Sequence, residues 1–274
     1  MGQSIRWFFA RWPGDRPHHE LCDSPSAGPL DGTRMSAPID TLPSGVTRIR
    51  HPLKRRQLTV TRTLRVTPKL VRITLHGDEL HDFASLGFDD HVKVLLPGAD
   101  PSEPVGRDYT PLRYDPTTCE LDLDFVLHDV GAASDWAAQA KPGQTLTVAG
   151  PRGSALLPQD LQWLFLMGDA TALPAMTRCL NEWPAGCAGQ LAVLMPSPAE
   201  RRALLLPPGV NLQWLDNELA CIEFAQQWTP PAGLGYVWCA GEAQEVAAWR
   251  EIFITKPGVS PDRIKASAYW RVRP

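Results

Sequence analysis

The sequence predicts an antiparallel β-barrel followed by a doubly wound α/β domain with a parallel, nucleotide-binding-like sheet. From Gln57 to Gly150 the apolar residues alternate with polar ones in short runs broken by Pro, Gly and Asp, the pattern of half-buried antiparallel strands. After Pro151-Arg152-Gly153-Ser154 the rhythm becomes strand, helix, strand, helix, which implies a parallel sheet with its ligand crevice beyond the carboxyl ends of the strands. Proline is abundant, 27 of 274 residues, and suits many short elements joined by stiff turns. The expected division is a disordered leader over 1–45, the barrel over 46–154 and the α/β domain over 155–274. The leader is assigned on its aperiodic Pro, Gly, Ser and His content.

In the barrel the strand runs are Leu58-Thr-Val-Thr-Arg-Thr-Leu, Leu70-Val-Arg-Ile-Thr-Leu, His91-Val-Lys-Val-Leu-Leu, Glu120-Leu-Asp-Leu-Asp-Phe-Val-Leu and Thr145-Leu-Thr-Val-Ala. One short helix interrupts them, with Ser134 expected as N-cap and Pro142-Gly143 as its end. In the second half, apolar runs start at Trp163, Leu191, Asn211, Tyr236 and Ile264. They alternate with helical segments expected near 173–183, 198–205, 217–228 and 242–254.

Lys and Arg number 27 against 30 Asp and Glu, a formal charge of −3, which argues against a nucleic-acid binder that relies on bulk positive charge. No stretch approaches the roughly 20 apolar residues of a membrane span, so no membrane insertion is expected. The six cysteines contain no C-x-x-C pair and accompany no secretory signal. They read as buried thiols of a cytoplasmic protein, and no metal site is expected from their spacing.

The segment richest in chemistry is Arg107-Asp108-Tyr109-Thr110-Pro111-Leu112-Arg113-Tyr114. A flavin needs an aromatic face, a hydrogen-bond partner at its reactive edge and cations for its diphosphate, and this one strand offers all three. In a regular strand Arg107 and Tyr109 share one face while Thr110 points to the other, so a local irregularity is expected here. Next, His128-Asp129-Val130-Gly131-Ala132-Ala133-Ser134-Asp135-Trp136 is a small-residue turn entering a helix, a seat for a diphosphate on free amides. Gly168-Asp169-Ala170-Thr171-Ala172-Leu173-Pro174 is the first strand-to-helix turn of the second half. It lacks the G-x-G-x-x-G fingerprint but still presents amides and a hydroxyl. Ala240-Gly241-Glu242 and Tyr269-Trp270-Arg271 complete the set; Glu242 is explained equally well as a first-turn acid, and the two aromatics as core.

In order and spacing these segments resemble the siderophore-interacting protein family of FAD-dependent ferric-siderophore reductases, a branch of the ferredoxin-reductase-like flavoproteins. The match runs from about Thr47 to Trp270. The resemblance implies an FAD-dependent oxidoreductase that reduces ferric siderophores in the cytoplasm, with electrons from NAD(P)H or a ferredoxin-like donor. It places Tyr109 against the isoalloxazine, Thr110 near its N5 edge, and Arg107 with Gly131, Ala132, Ala133 and Ser134 at the diphosphate. His128 and Trp136 line the pocket, Thr171 sits near flavin or nicotinamide, and Lys93 and Arg271 attract the anionic ferric siderophore. No covalent catalyst or general acid or base is implied. The chain departs from the family pattern at Leu112, where an arginine is usual and Arg113 follows as a substitute or a residue of the other face; at Ala170, where an acid is usual; and at Val272, where Gly is usual. Two other functions stay open: an NAD(P)H-dependent flavin or ferredoxin-type reductase with a protein acceptor, and a non-catalytic FAD- and siderophore-binding protein.

Overall fold

The computed structural model describes residues 39–42, 44–97, 104–128 and 131–272. The expected leader thus lies almost wholly outside the described residues, as do Asp129 and Val130. The leader assignment reaches too far, because Ile39–Thr41 (β1) already pairs antiparallel with Thr47–Arg50 (β2).

The barrel strands are β3 (Arg55–Thr67), β4 (Leu70–His76), β5 (Val92–Leu96), β6 (Val105–Tyr109), β7 (Pro111–Asp115), β8 (Glu120–Val126) and β9 (Thr145–Ala149). They form one antiparallel sheet in the order β6-β5-β9-β3-β4-β8-β7, curled into a half-barrel. Alternate residues Leu58, Val60, Ile73, Leu75, Val92, Val94, Leu121, Leu123, Leu146 and Val148 fill its inside, which is what the period-two pattern requires. The helix α1 (Ala132–Gln139) adds Ala133 and Ala137 to that core.

Two edge strands of the sheet, β6 and β7, are joined through the single residue Thr110. The chain pairs with β5 up to Tyr109 and with β8 from Pro111, with a register shift between Pro111 and Arg113. This partner switch is the irregularity that the conflict of faces in Arg107–Thr110 predicts.

The segment Gly153–Leu156 (β10) pairs with β2, so the turn expected there is followed by a strand. Beyond it lie β11 (Trp163–Gly168), α2 (Leu173–Asn181), β12 (Ala188–Leu194), β13 (Val210–Leu215), α3 (Glu218–Gln227), β14 (Gly235–Glu242), α4 (Ala243–Ile254) and β15 (Ile264–Trp270). The sheet is parallel in the order β13-β12-β11-β14-β15. Its order reverses between β11 and β14, and their carboxyl ends open a crevice there. Both faces are covered. Leu164 and Leu166 pack in the cluster that holds α2, while Trp163, Phe165 and Met167 pack in the cluster of α3 and α4. This two-sided burial explains why these strands read as continuous apolar runs.

The helix expected over 198–205 is absent: only a short 3-10 turn, Pro198–Glu200, forms. Pro196, Pro198, Pro207 and Pro208 bracket the segment, and Arg201 is held by the carbonyl of Met195 while Arg202 pairs with Asp124 of β8. These tertiary bonds and the missing amides of proline override the local helical spacing. Further links join the halves: Trp238 Nε1 donates to Asp89 at 2.8 Å and Lys265 pairs with the same carboxylate at 2.5 Å.

Candidate functional site

The barrel group forms around Phe125. Tyr109 packs on it with ring centroids 4.2 Å apart and Trp136 approaches it at 5.6 Å. Burial raises the Tyr109 phenol above its ordinary pKa, so the ring stays neutral. Arg107 lies two residues back on the same side of β6. It is exposed, donates to the Gly106 carbonyl at 2.8 Å and has no ion pair among the described residues. Thr110 is buried at the strand switch.

Ser134 is not the N-cap of α1. The helix starts two residues earlier, Gly131 is the cap, and no side chain caps the helix. Ser134 instead accepts from the His128 amide at 2.9 Å and donates to the His128 carbonyl at 2.7 Å. The first-turn amides of Ala132, Ala133 and Ser134 have no side-chain acceptor among the described residues. A Cβ on Gly131 would meet the His128 ring at 2.5 Å, so glycine at the cap lets that ring sit close against the helix start. A cation without a counter-ion among the described residues, a helix start of small residues with no side-chain cap and a supported aromatic ring together fit a dinucleotide with a flat ring.

Arg113 is not brought to this group. It pairs with Asp122 at 2.8 Å and Glu120 at 3.3 Å. Those carboxylates alternate along β8 with Leu121, Leu123 and Phe125, so they face away from Tyr109. Leu112 is buried beside it.

At the crevice, Thr171 gives both its amide and its hydroxyl to Asp169 Oδ1, at 2.7 and 2.6 Å. Asp169 Oδ2 accepts from the Glu242 amide at 3.1 Å and from Trp270 Nε1 at 2.7 Å. Glu242 caps α4, accepting from Gln244 and Glu245 amides at 2.5 and 3.3 Å. Tyr269 and Trp270 are part-exposed, not core, and the Tyr269 ring lies edge-on to Trp238 with centroids 6.2 Å apart. The flavin-type corner and the crevice side adjoin through α2, whose Arg178 donates to the Pro111 carbonyl at 3.4 Å. Sequence reasoning missed Asp169 as the hub of these strand ends; its position between Gly168 and Thr171 was the available signal. Lys93 pairs with Asp108 at 2.7 Å, while Arg271 is exposed without an ion pair among the described residues.

Beside the crevice a cavity of about 240 Å³ is lined by Glu218, Glu242, Glu245, Trp249, Trp270 and Val272. Burial, then the charges of Asp169, Glu218 and Glu242, push the Glu245 carboxyl up to about 7. Between its ordinary value and about 7 the folded state holds a proton that the unfolded chain has released, so stability falls as pH rises through that window. Glu245→Gln should therefore raise the melting temperature by a few degrees at pH well above the window and change it little at its acid end. Calorimetry checks this, and an equal shift at both ends would refute it.

Comparison with known proteins decides the family. Residues 161–273 match the profile described as siderophore-interacting protein, and residues 59–105 and 99–155 match the siderophore-interacting FAD-binding domain. The chain belongs to the siderophore-interacting protein family. It is 35% identical to the NADPH-dependent ferric-chelate reductase of Escherichia coli (strain K12), over 82% of this chain and 96% of that protein. It is 27% identical to the ferric vibriobactin reductase ViuB of Vibrio cholerae serotype O1, over 75% of this chain and 85% of that one. Among solved structures it resembles a siderophore utilization protein from T. fusca, with a TM-score of 0.76 and 32% identity over 82% of this chain and 96% of that one. The siderophore-interacting protein SipS from Aeromonas hydrophila follows at 0.72 and 32%, covering 80% and 92%. The fold alone is shared with the ferredoxin reductase in carbazole 1,9a-dioxygenase, 15% identical at a TM-score of 0.61 over 80% of this chain and 70% of that one. As a siderophore-interacting protein, the chain takes FAD as its cofactor.

Proposed function

We propose that this protein reduces ferric siderophores with FAD, takes electrons from NADPH and releases Fe(II) in the cytoplasm. The adjoining of the barrel corner and the sheet crevice, through Arg178 of α2 and the Pro111 carbonyl, carries this reading. One group bound at the corner is then open to a donor from the sheet side and to an acceptor from the rim. The relatives named for NADPH-dependent ferric-chelate and ferric vibriobactin reduction support the substrate class. In the proposed arrangement Tyr109 supports the flavin ring, and Thr110 offers a hydroxyl at its edge. Arg107 and the amides of Gly131–Ser134 hold the diphosphate, His128 and Trp136 wall the pocket, and Thr171 faces the donor. When bound, the flavin accepts a two-electron donor and yields electrons singly, and chelating oxygens hold hard Fe(III) far more tightly than Fe(II). The protein's share is to hold ring and diphosphate, exclude water behind Tyr109 and present positive charge at the rim. The purified protein should show flavin absorbance that bleaches under NADPH without oxygen and returns on adding a ferric siderophore. A bleached flavin that does not return would defeat the proposal.

Charge at the rim is unequal. Asp108 neutralises much of Lys93, whereas Arg271 has no ion pair among the described residues. Arg271→Glu should therefore slow reduction of an anionic ferric chelate severalfold at low salt, and Lys93→Glu less. Both should match the parent with a neutral chelate. Rates that do not depend on chelate charge would remove the steering role from both residues.

A further inference from the structure

We infer that Asp169 is a positioning residue of the donor crevice, which makes Thr171 an acceptor-only hydroxyl toward the incoming ligand and so selects a ligand bearing an N–H donor, the carboxamide of a nicotinamide. This rests on the reading that a nicotinamide dinucleotide is the electron donor.

The argument starts from the carboxylate. Asp169 is buried, and its two oxygens receive four donors from the carboxyl ends of three strands: two from Thr171 just after β11, one from Glu242 at the end of β14 and one from Trp270 at the end of β15. A carboxylate only accepts, so the 2.6 Å contact fixes the Thr171 proton inward, on Oδ1. What Thr171 can show to the crevice is a lone pair. A ligand carbonyl would meet repulsion there, and an amide N–H would find a partner. The neighbouring backbone is built around the same carboxylate. Gly241 has φ +151, and a Cβ on it would lie 2.7 Å from Asp169 Oδ2.

Asparagine cannot replace the aspartate. With its NH2 toward Thr171 it loses the bond from the Thr171 amide and turns the hydroxyl round to accept, so the hydroxyl proton points into the crevice; turned over, it loses the bonds from the Glu242 amide and the Trp270 indole. Gly241→Ala should displace the carboxylate without altering it.

The test uses the FAD-loaded protein and calorimetric binding of NADP+ and of its 3-acetylpyridine analogue, which keeps the carbonyl but lacks the N–H2. The parent should bind NADP+ more tightly than the analogue by severalfold to about tenfold, the worth of one hydrogen bond. In Asp169→Asn and in Gly241→Ala that discrimination should shrink toward unity. NADPH should reduce the flavin about tenfold more slowly in both, while flavin content and reoxidation by a ferric chelate stay as in the parent. Discrimination retained in both variants, or a parent that binds both nucleotides equally, overturns the inference. Equal loss in both half-reactions overturns it as well, because it would mark a general structural role. If NADPH neither binds to the parent nor reduces it, the donor reading fails along with the inference. Normal reduction of the parent with undiminished discrimination in the variants fails the inference alone.

Discussion

Replacing Arg107 and Tyr109 together by alanine should yield a colourless protein. Tyr109 supplies the aromatic surface, backed by Phe125 with centroids 4.2 Å apart and the planes tilted by 35°, and Arg107 a guanidinium without an ion pair among the described residues on the same side of β6. An aromatic contact is worth about 0.5–1.5 kcal/mol, and a hydrogen bond to a charged group about 1.5–3 kcal/mol. Together they predict a loss of about 2–4 kcal/mol, or roughly thirty- to a thousandfold in FAD affinity. The fold should survive, since Arg107 is exposed and Tyr109 lies at the end of its strand, against the core rather than within it. The ratio of flavin to protein absorbance after gel filtration reads the result, and far-ultraviolet circular dichroism confirms the fold. A variant that keeps one FAD per chain would show that the ring and diphosphate are held elsewhere.

The features that could be read from the sequence are those written in local periodicity. The period-two runs became barrel strands within a residue of their expected ends, except that β3 extends three residues further at each end, because one face of each is solvated and the other is not. The change of rhythm after Ser154 marked the parallel sheet for the same kind of reason. The corner at Thr110 was legible as a contradiction, since Tyr109 and Thr110 cannot both serve one site from a regular strand. Features set by tertiary partners were not legible. Arg113 looked like a diphosphate cation until Asp122 and Glu120 of the neighbouring strand were seen to claim it. Ser134 had the chemistry of an N-cap but bonds the backbone of His128, six residues back. The segment 198–205 had helical spacing, yet its arginines are bound outside the segment. Asp169 was visible only as one acid in a turn; its importance comes from three strand ends that approach from widely separated parts of the chain.

Arg178→Ala should be among the most destabilising single substitutions on α2, although Arg178 is no part of the proposed flavin site. Its guanidinium is buried between α2 and the barrel, donating to Ser85 Oγ and the Ser85 carbonyl at 2.7 Å each and to the Pro111 carbonyl at 3.4 Å. Truncation leaves those carbonyls facing a void without a donor, and an orphaned buried acceptor costs about 1–3 kcal/mol. With two of them the loss should be about 3 kcal/mol, which for a chain of this size lowers the melting temperature by roughly 6–12 °C. Pro111 immediately follows Thr110, so the same substitution should also weaken FAD retention. Glu182→Ala supplies the control: it removes the 2.8 Å pair that Arg178 makes along its own helix, with a half-exposed glutamate. Such helix-surface pairs contribute only about 0.2–0.5 kcal/mol. If the two variants melt within a degree or two of each other, the bonds from Arg178 to Ser85 and Pro111 do not hold α2 to the barrel. A large gap with parallel loss of FAD from Arg178→Ala alone would locate the support for the flavin corner in the second half of the chain.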